Sequence, residues 1–207
     1  MAPGGSTRPP DFVAVGHLTV DETPAGLRPG GSALYAGLFA QRQGLRVGLY
    51  TSYGPDFPFE VLPPEVEVVA VPAAATTRFA IEYRPTGRSL VLRARAAPLD
   101  LESLPAHFAD AGIAYLGPVA DEVAPGLAGA FPNAAVGAGA QGWCRLWGHD
   151  GVVRMRPWPD PRPVLSRLQA LFLSSDDVRG WEARRCRSTR RCRSGRSPTR
   201  SGGRSSS

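Results

Sequence analysis

FVAVGHLTVDETPAGLRPGGSALYAGLFAQRQGLRVGLYTS, residues 12–52, decides how the chain is read. Phe12–Gly16 is a short apolar, β-rich run closed by a glycine, which predicts a strand. Asp21 follows in what reads as a polar turn. Gly30-Gly31 then open a segment, Ser32–Gln43, with small and apolar residues at helical spacing. Ser32 is the expected N-cap and Gly44 the expected stop. Arg46–Ser52 predicts a second strand. The order is therefore strand, loop, diglycine, helix, strand.

Outward from that unit, Val66–Val71 predicts a third strand. Phe79–Tyr83 and Ser89–Arg93 flank a Pro/Gly turn and predict a hairpin. Leu101–Ala109 and Glu122–Ala130 read as helices around a strand at Ile113–Gly117. Strands are expected at Ala134–Ala138, Val152–Met155 and Ala170–Ser174, with a helix at Pro163–Gln169. This alternation predicts a largely parallel sheet covered by helices.

Charge divides the chain. All 24 basic residues among its 207 are arginines, against 18 acids, for a net +6. Arg184–Ser207 holds nine of those arginines and no acid, leaving 15 basic against 18 acidic groups before it, a net of −3. The high isoelectric point thus belongs to the tail and carries no information about the domain's ligand. The tail also lacks any aliphatic residue, so it has nothing to bury and is expected to be disordered, as is the Pro-rich stretch 1–10. Its composition fits out-of-frame reading of GC-rich coding sequence, with a shift near residues 180–184. A nucleic-acid-binding arm is the rival reading, but the tail has no aromatic residue for base stacking and no recognisable motif, and nucleic acid is not expected as a partner. Cys144 stands apart from Cys186 and Cys192, so no disulfide framework is expected. No stretch approaches the roughly 20 apolar residues of a membrane span, and no secretory leader is legible, so the expected location is cytoplasmic.

The ordered pieces resemble the amino-terminal signature of the ribokinase/PfkB carbohydrate kinases. A strand runs into Gly16 and Asp21; Pro29-Gly30-Gly31 start a helix rich in small residues; Gly44-Leu45-Arg46-Val47 leads to the next strand. Thr51–Phe57 is similar to that family's Gly-x-Asp-x-Phe turn, Gly137–Arg145 to a segment carrying Gln-Gly then Arg, and Leu173–Val178 to its Asn-x-x-Glu region. The resemblance covers residues 11–180 and implies an α/β fold, a ribokinase-like three-layer α/β/α sandwich, truncated. It also implies ATP-dependent phosphorylation of a sugar or nucleoside hydroxyl, with ATP and Mg as the full-length family's cofactors. Asp21, Gly30 and Gly31 become the substrate-binding candidates, with Tyr35 shaping the pocket where the family often has Asn. Asp177 would act on magnesium indirectly.

An ionised Asp accepts two hydroxyl hydrogen bonds, and glycines let backbone approach a ligand closely. The span between Asp21 and Gly30 looks too short for lid strands, so the Phe79–Arg93 hairpin is the lid candidate. The family's catalytic Gly-Ala-Gly-Asp is missing. Gly137-Ala138-Gly139-Ala140 has Ala140 where the base should stand and comes too early in the order of elements. No catalytic residue is therefore assigned, and the chain is not expected to transfer phosphoryl groups; a non-catalytic sugar-binding remnant is the alternative. Gly137-x-Gly139-x-x-Gly142 also matches a dinucleotide fingerprint, but Trp143–Trp147 does not read as the helix that motif requires. His17, His107 and His149 are too scattered to suggest a metal site.

Overall fold

Strand formation begins where the apolar run predicts it. The computed structural model describes residues 8–84 and 87–178; most of the Pro-rich N-terminal stretch, Pro85-Thr86 of the hairpin turn and the whole Arg/Ser tail lie outside the described residues. β1 (Phe12–Val15) is the centre of a six-stranded sheet. It pairs in parallel with β4 (Val47–Tyr53) on one side and β8 (Ile113–Leu116) on the other. β5 (Glu67–Pro72) extends the sheet beyond β4. β9 (Ala135–Gly139) and then β12 (Ala170–Phe172) extend it beyond β8. Every pairing in this sheet is parallel, which agrees with the alternation read from the sequence.

α1 (Ser32–Arg42) packs on one face with Ala33, Leu34, Gly37 and Ala40 buried against β1 and β4. The N-cap is Gly31 rather than Ser32, because the Ser32 hydroxyl donates across to the Gly117 carbonyl at 2.8 Å. The stop is where the sequence puts it. Gly44 adopts φ +82°, its amide donates to Gln41 O, and the Leu45 amide donates to Ala40 O, the paired bonds of a Schellman ending.

The opposite face carries the larger core, where Val13, Val15, Leu116 and Val136 meet Phe108, Leu127 and Trp143. Trp143 stacks on Trp158 with ring centroids 4.6 Å apart. The layer over this face is built from loops and 3₁₀ turns rather than the helices expected at 101–109 and 122–130. Ala106–Phe108 and Pro125–Gly129 are the 3₁₀ segments. Pro105 interrupts the first stretch and Pro125, Gly126 and Gly129 break up the second, as helix-disfavouring residues should. The expected helix at 163–169 shrinks to α2 (Arg162–Leu165), and α3 (Ser175–Val178) ends the described chain.

A second sheet corrects the lid assignment. Asp21 is not in a turn but in the middle of β2 (Thr19–Thr23), which pairs antiparallel with β3 (Gly26–Gly30). A two-residue turn, Pro24-Ala25, is enough to fit two five-residue strands into the span that looked too short. β2 pairs in parallel with β6 (Thr77–Arg84), and β6 pairs antiparallel with β7 (Gly87–Ala94), giving the order β3-β2-β6-β7. A two-stranded ribbon, β10 (Arg145–Leu146) with β11 (Arg154–Met155), follows β9. The Gly137–Gly142 glycines therefore run from a strand into a turn and a ribbon, and no helix opens there.

Candidate substrate cleft

The exits of β1, β8 and β9 lie at the carboxyl edge of the parallel sheet, where open α/β sheets hold ligands. Two buried polar arrangements fix these exits, and a third, partly exposed, braces the lid. The Glu122 carboxylate, 1% exposed, accepts the amides of His17 (2.9 Å), Val119 (3.0 Å) and Ala120 (2.6 Å), tying the β1 exit to the β8 exit. The buried His17 ring bridges Ala97 O through Nε2 and Thr77 Oγ1 through Nδ1, both at 2.7 Å. Nε2 faces a carbonyl, so the bonding pattern places the proton there and makes Nδ1 the acceptor. The ring thereby ties the β1 exit to β6 and to the segment after β7.

The Gly54–Phe57 turn is the third. Asp56 accepts the Thr76 amide at 2.8 Å and the Arg78 guanidinium at 2.7 Å, and Arg78 reaches Glu22 at 3.4 Å. The turn thus braces the lid strands β2 and β6. Burial disfavours the Asp56 carboxylate, but the bonds from Thr76 and Arg78 outweigh it and bring its carboxyl down to about 2.

Between the lid and the main sheet lies a cleft of about 210 Å³. Asp21 and Thr19 line it from β2, Gly31, Ser32 and Tyr35 from the start of α1, and Phe79, Ile81 and Leu90 from the rest of the lid. Val119, Gln141 and Arg145 close it from the β8 and β9 exits. The Asp21 carboxylate accepts the Thr19 hydroxyl at 3.2 Å. Gly31 adopts φ +104°, and a Cβ there would stand 2.3 Å from the His17 carbonyl. Gly30 lies behind the cleft: a Cβ on it would stand 2.6 Å from Thr19 Oγ1 and 2.7 Å from Asp21 Oδ2. Its small size is what leaves room for the acid. Tyr35 forms an exposed rim, its hydroxyl donating to Pro29 O at 3.1 Å, so it shapes the opening more than it offers a hydrogen bond.

Two residues without an assigned role in the sequence reading complete the cleft. Arg145 is only 6% exposed; its guanidinium donates to Val119 O at 2.7 Å and to Gln141 Oε1 at 3.1 Å, and it lies 5.3 Å above the Phe79 ring. The Gln-Gly-x-x-Arg pattern at 141–145 was the available signal. Chemically, the cleft offers one carboxylate acceptor, one guanidinium and one amide facing an apolar wall from the lid. That combination suits a small ring carrying several hydroxyls.

Asp177 falls elsewhere. It lines a neighbouring cleft of about 240 Å³ with Tyr115, Gly139 and Phe172, joined to the first through Gln141. Its Oδ2 accepts the Ser174 amide at 2.8 Å while its own amide donates to Ser174 Oγ at 3.2 Å. This is a reciprocal cap on α3. Among the described residues no group of three or more His, Cys, Asp or Glu is placed to hold a metal ion.

No protein-family model and no curated protein sequence matches the chain. Solved structures do. A pyrophosphate-dependent kinase in the ribokinase family, complexed with a pyrophosphate analog and myo-inositol, superposes with a TM-score of 0.67 at 20% identity over 81% of this chain and 62% of its own. Fructokinase from Xylella fastidiosa gives 0.54 at 17% identity over 81% and 61%. Arabidopsis thaliana ribokinase, complexed with ribose and ATP, gives 0.50 at 13% over 83% and 62%. The fold is that of the ribokinase-family sugar kinases, over an N-terminal portion. The chain spans about 60% of the length of the structures it matches. No helix among the described residues is long and apolar enough to cross a membrane.

Proposed function

We propose that this chain is the substrate-binding portion of a carbohydrate-kinase-like protein, and that its cleft holds a sugar, a cyclitol or the sugar of a nucleoside through its hydroxyls. The observation that carries the reading is the convergence of Asp21 on β2, Gly31 at the start of α1, and Gln141 and Arg145 from the β9 exit on one small cleft under a lid sheet. Asp21 accepts hydroxyl hydrogen bonds, Arg145 and Gln141 face the opposite edge, and Phe79, Ile81 and Leu90 take the ring's C–H face. The likeness to kinases complexed with myo-inositol and with ribose supports a polyhydroxylated ligand.

Phosphoryl transfer needs a base for the attacking hydroxyl and donors for the transferring phosphate. Among the described residues Asp21 is the only carboxylate lining the cleft, and binding assigns it to the substrate. Binding without turnover is therefore the expected behaviour of this chain. Calorimetric titration with myo-inositol, ribose, fructose and adenosine tests the first half. Product formation from the same panel, with Mg-ATP or Mg-pyrophosphate as donor, tests the second. Binding lost in Asp21→Asn, with no product from either donor, is the expected outcome. Turnover by the purified chain, or binding unaffected by Asp21→Asn, overturns the reading.

A further inference from the structure

The turn that brings Gln141 and Arg145 to the cleft carries Trp143 between them, and Trp143 borders a different cavity. This second hollow has a volume of about 500 Å³ and shares no lining residue with the cleft. Its walls come wholly from residues 98–160, all of them described.

One wall is an indole held from behind. Trp143 is 2% exposed, and its Nε1–H donates to Val123 O at 2.9 Å. Trp158 stacks on it with the rings 10° from parallel, and is itself only half-buried. The segment carrying Trp158 is clamped to the same turn: the Arg156 amide donates to Cys144 O at 2.8 Å, and the Arg156 guanidinium meets Asp121 Oδ2 at 3.1 Å. Leu99, Val123 and Pro125 add apolar surface around it. An indole braced in this way has its orientation fixed before a ligand arrives, so binding against it costs little ordering.

Charge around that wall is one-sided. Asp100, Asp121 and Asp160 line the hollow against a single guanidinium, that of Arg156. The fourth carboxylate, Glu122, is already taken up by the amides of His17, Val119 and Ala120. Partial burial holds the Asp121 carboxyl above the ordinary range despite Arg156 and Arg95 nearby, so the arginines do not fully offset its charge. The face of an indole attracts cations through its quadrupole, and surrounding carboxylates act in the same direction.

We propose that this hollow is a second ligand site, for a small organic cation: an amine or guanidinium carried on a flat apolar group, the group lying against Trp158 and the charge among Asp100, Asp121 and Asp160. The aromatic wall and the volume make the pocket; the carboxylates set the sign of what enters it. The site is independent of what the cleft binds.

The test uses the full 207-residue chain. Benzylamine, a cation at neutral pH, is titrated in, with benzyl alcohol and benzoate as neutral and anionic analogues of the same ring, and the indole N–H resonances are followed by NMR. The expected result is a dissociation constant of about millimolar order, with shifts at Trp158 and Trp143 and none at Trp147, whose ring lies under Arg95. Benzyl alcohol should bind about 5- to 30-fold more weakly, and benzoate should cause no shift. Trp158→Ala should abolish the binding. Asp100 and Asp160 are exposed, so the double variant Asp100→Asn/Asp160→Asn should keep the wild-type Tm while weakening benzylamine binding by about 3- to 10-fold. Absence of benzylamine shifts at Trp158 overturns the proposal, as does equal affinity for benzyl alcohol or wild-type affinity in the double variant. Comparable shifts of the same two indoles by myo-inositol would assign the hollow to a neutral polyol and overturn it as well.

Discussion

Adjacent glycines in the same loop should respond to alanine in opposite ways, because what each Cβ would meet differs. At Gly31 the obstacle is backbone: the His17 carbonyl stands 2.3 Å away, and φ is +104°. Occupying that glycine-only region costs about 1–3 kcal/mol, and forcing a methyl into a packed site adds about 1–3 kcal/mol. Gly31→Ala should therefore lose about 4 kcal/mol, which for a domain of this size lowers Tm by roughly 10 °C. At Gly30 the obstacles are the side chains of Thr19 and Asp21, at 2.6 and 2.7 Å. These can move, so stability should change by less than about 1 kcal/mol. Their movement takes the Asp21 carboxylate out of place. Losing one charge-assisted hydrogen bond, about 1.5–3 kcal/mol, weakens binding by about 10- to 100-fold. Differential scanning calorimetry and titration of a polyol into both variants measure the two effects. Equal thermal losses in the two variants, or wild-type affinity in Gly30→Ala, would refute the reasoning. The thermal comparison holds whichever polyol is bound.

Further outcomes follow from the same contacts. Glu122→Gln leaves a single acceptor oxygen among three buried amides and turns an NH₂ toward donors; about 3 kcal/mol should be lost, read as a lower urea midpoint at unchanged slope. Asp56 is depressed to about 2 in the folded chain, so its stabilisation is present above the unfolded value of about 4 and fades as pH falls from about 4 to 2. Because that carboxylate is partly solvated, the effect is modest, and Asp56→Asn should lower the neutral plateau of a stability–pH curve slightly and flatten its acid limb, the variant and wild-type curves converging toward pH 2. Gly44→Ala meets no atom within 4 Å, so only its φ of +82° matters; a loss of about 1–2 kcal/mol is expected by chemical denaturation.

The parts legible in the sequence were those whose signal is local. β1, α1 and β4 each announce themselves by an apolar run or a helical period, and Gly44 ends α1 through a motif its own residues specify. β2 and β3 did not, because Thr19–Thr23 carries mostly polar residues. Thr19 and Asp21 line the cleft while Glu22 pairs with Arg78, so neither side of the strand shows an apolar stripe. Glu122 stands first in a stretch that reads as a helix, yet its carboxylate is a buried anchor for amides from two strand exits. Only the pairing of β1 with β8 brings those amides together. Gln141 and Arg145 reach the cleft for the same reason: β9 lies next to β8, so residues far apart in sequence share one sheet edge.

That sheet order also sets the cleft apart from the open edge of the main sheet. The central strand β1 supplies the exit to Asp21, β8 supplies Val119, β9 leads to Gln141 and Arg145, and the lid strands β2, β3, β6 and β7 all precede residue 95. Every wall of the cleft is therefore built by residue 145, inside the covered part of the sheet and fixed by Glu122, His17 and Asp56. The neighbouring cleft at Asp177 has no such enclosure. It opens at β12, which pairs with β9 alone among the described residues and whose Phe172 is 59% exposed. Asp21→Asn should therefore weaken polyol binding in titration while changing stability by less than about 1 kcal/mol in urea denaturation.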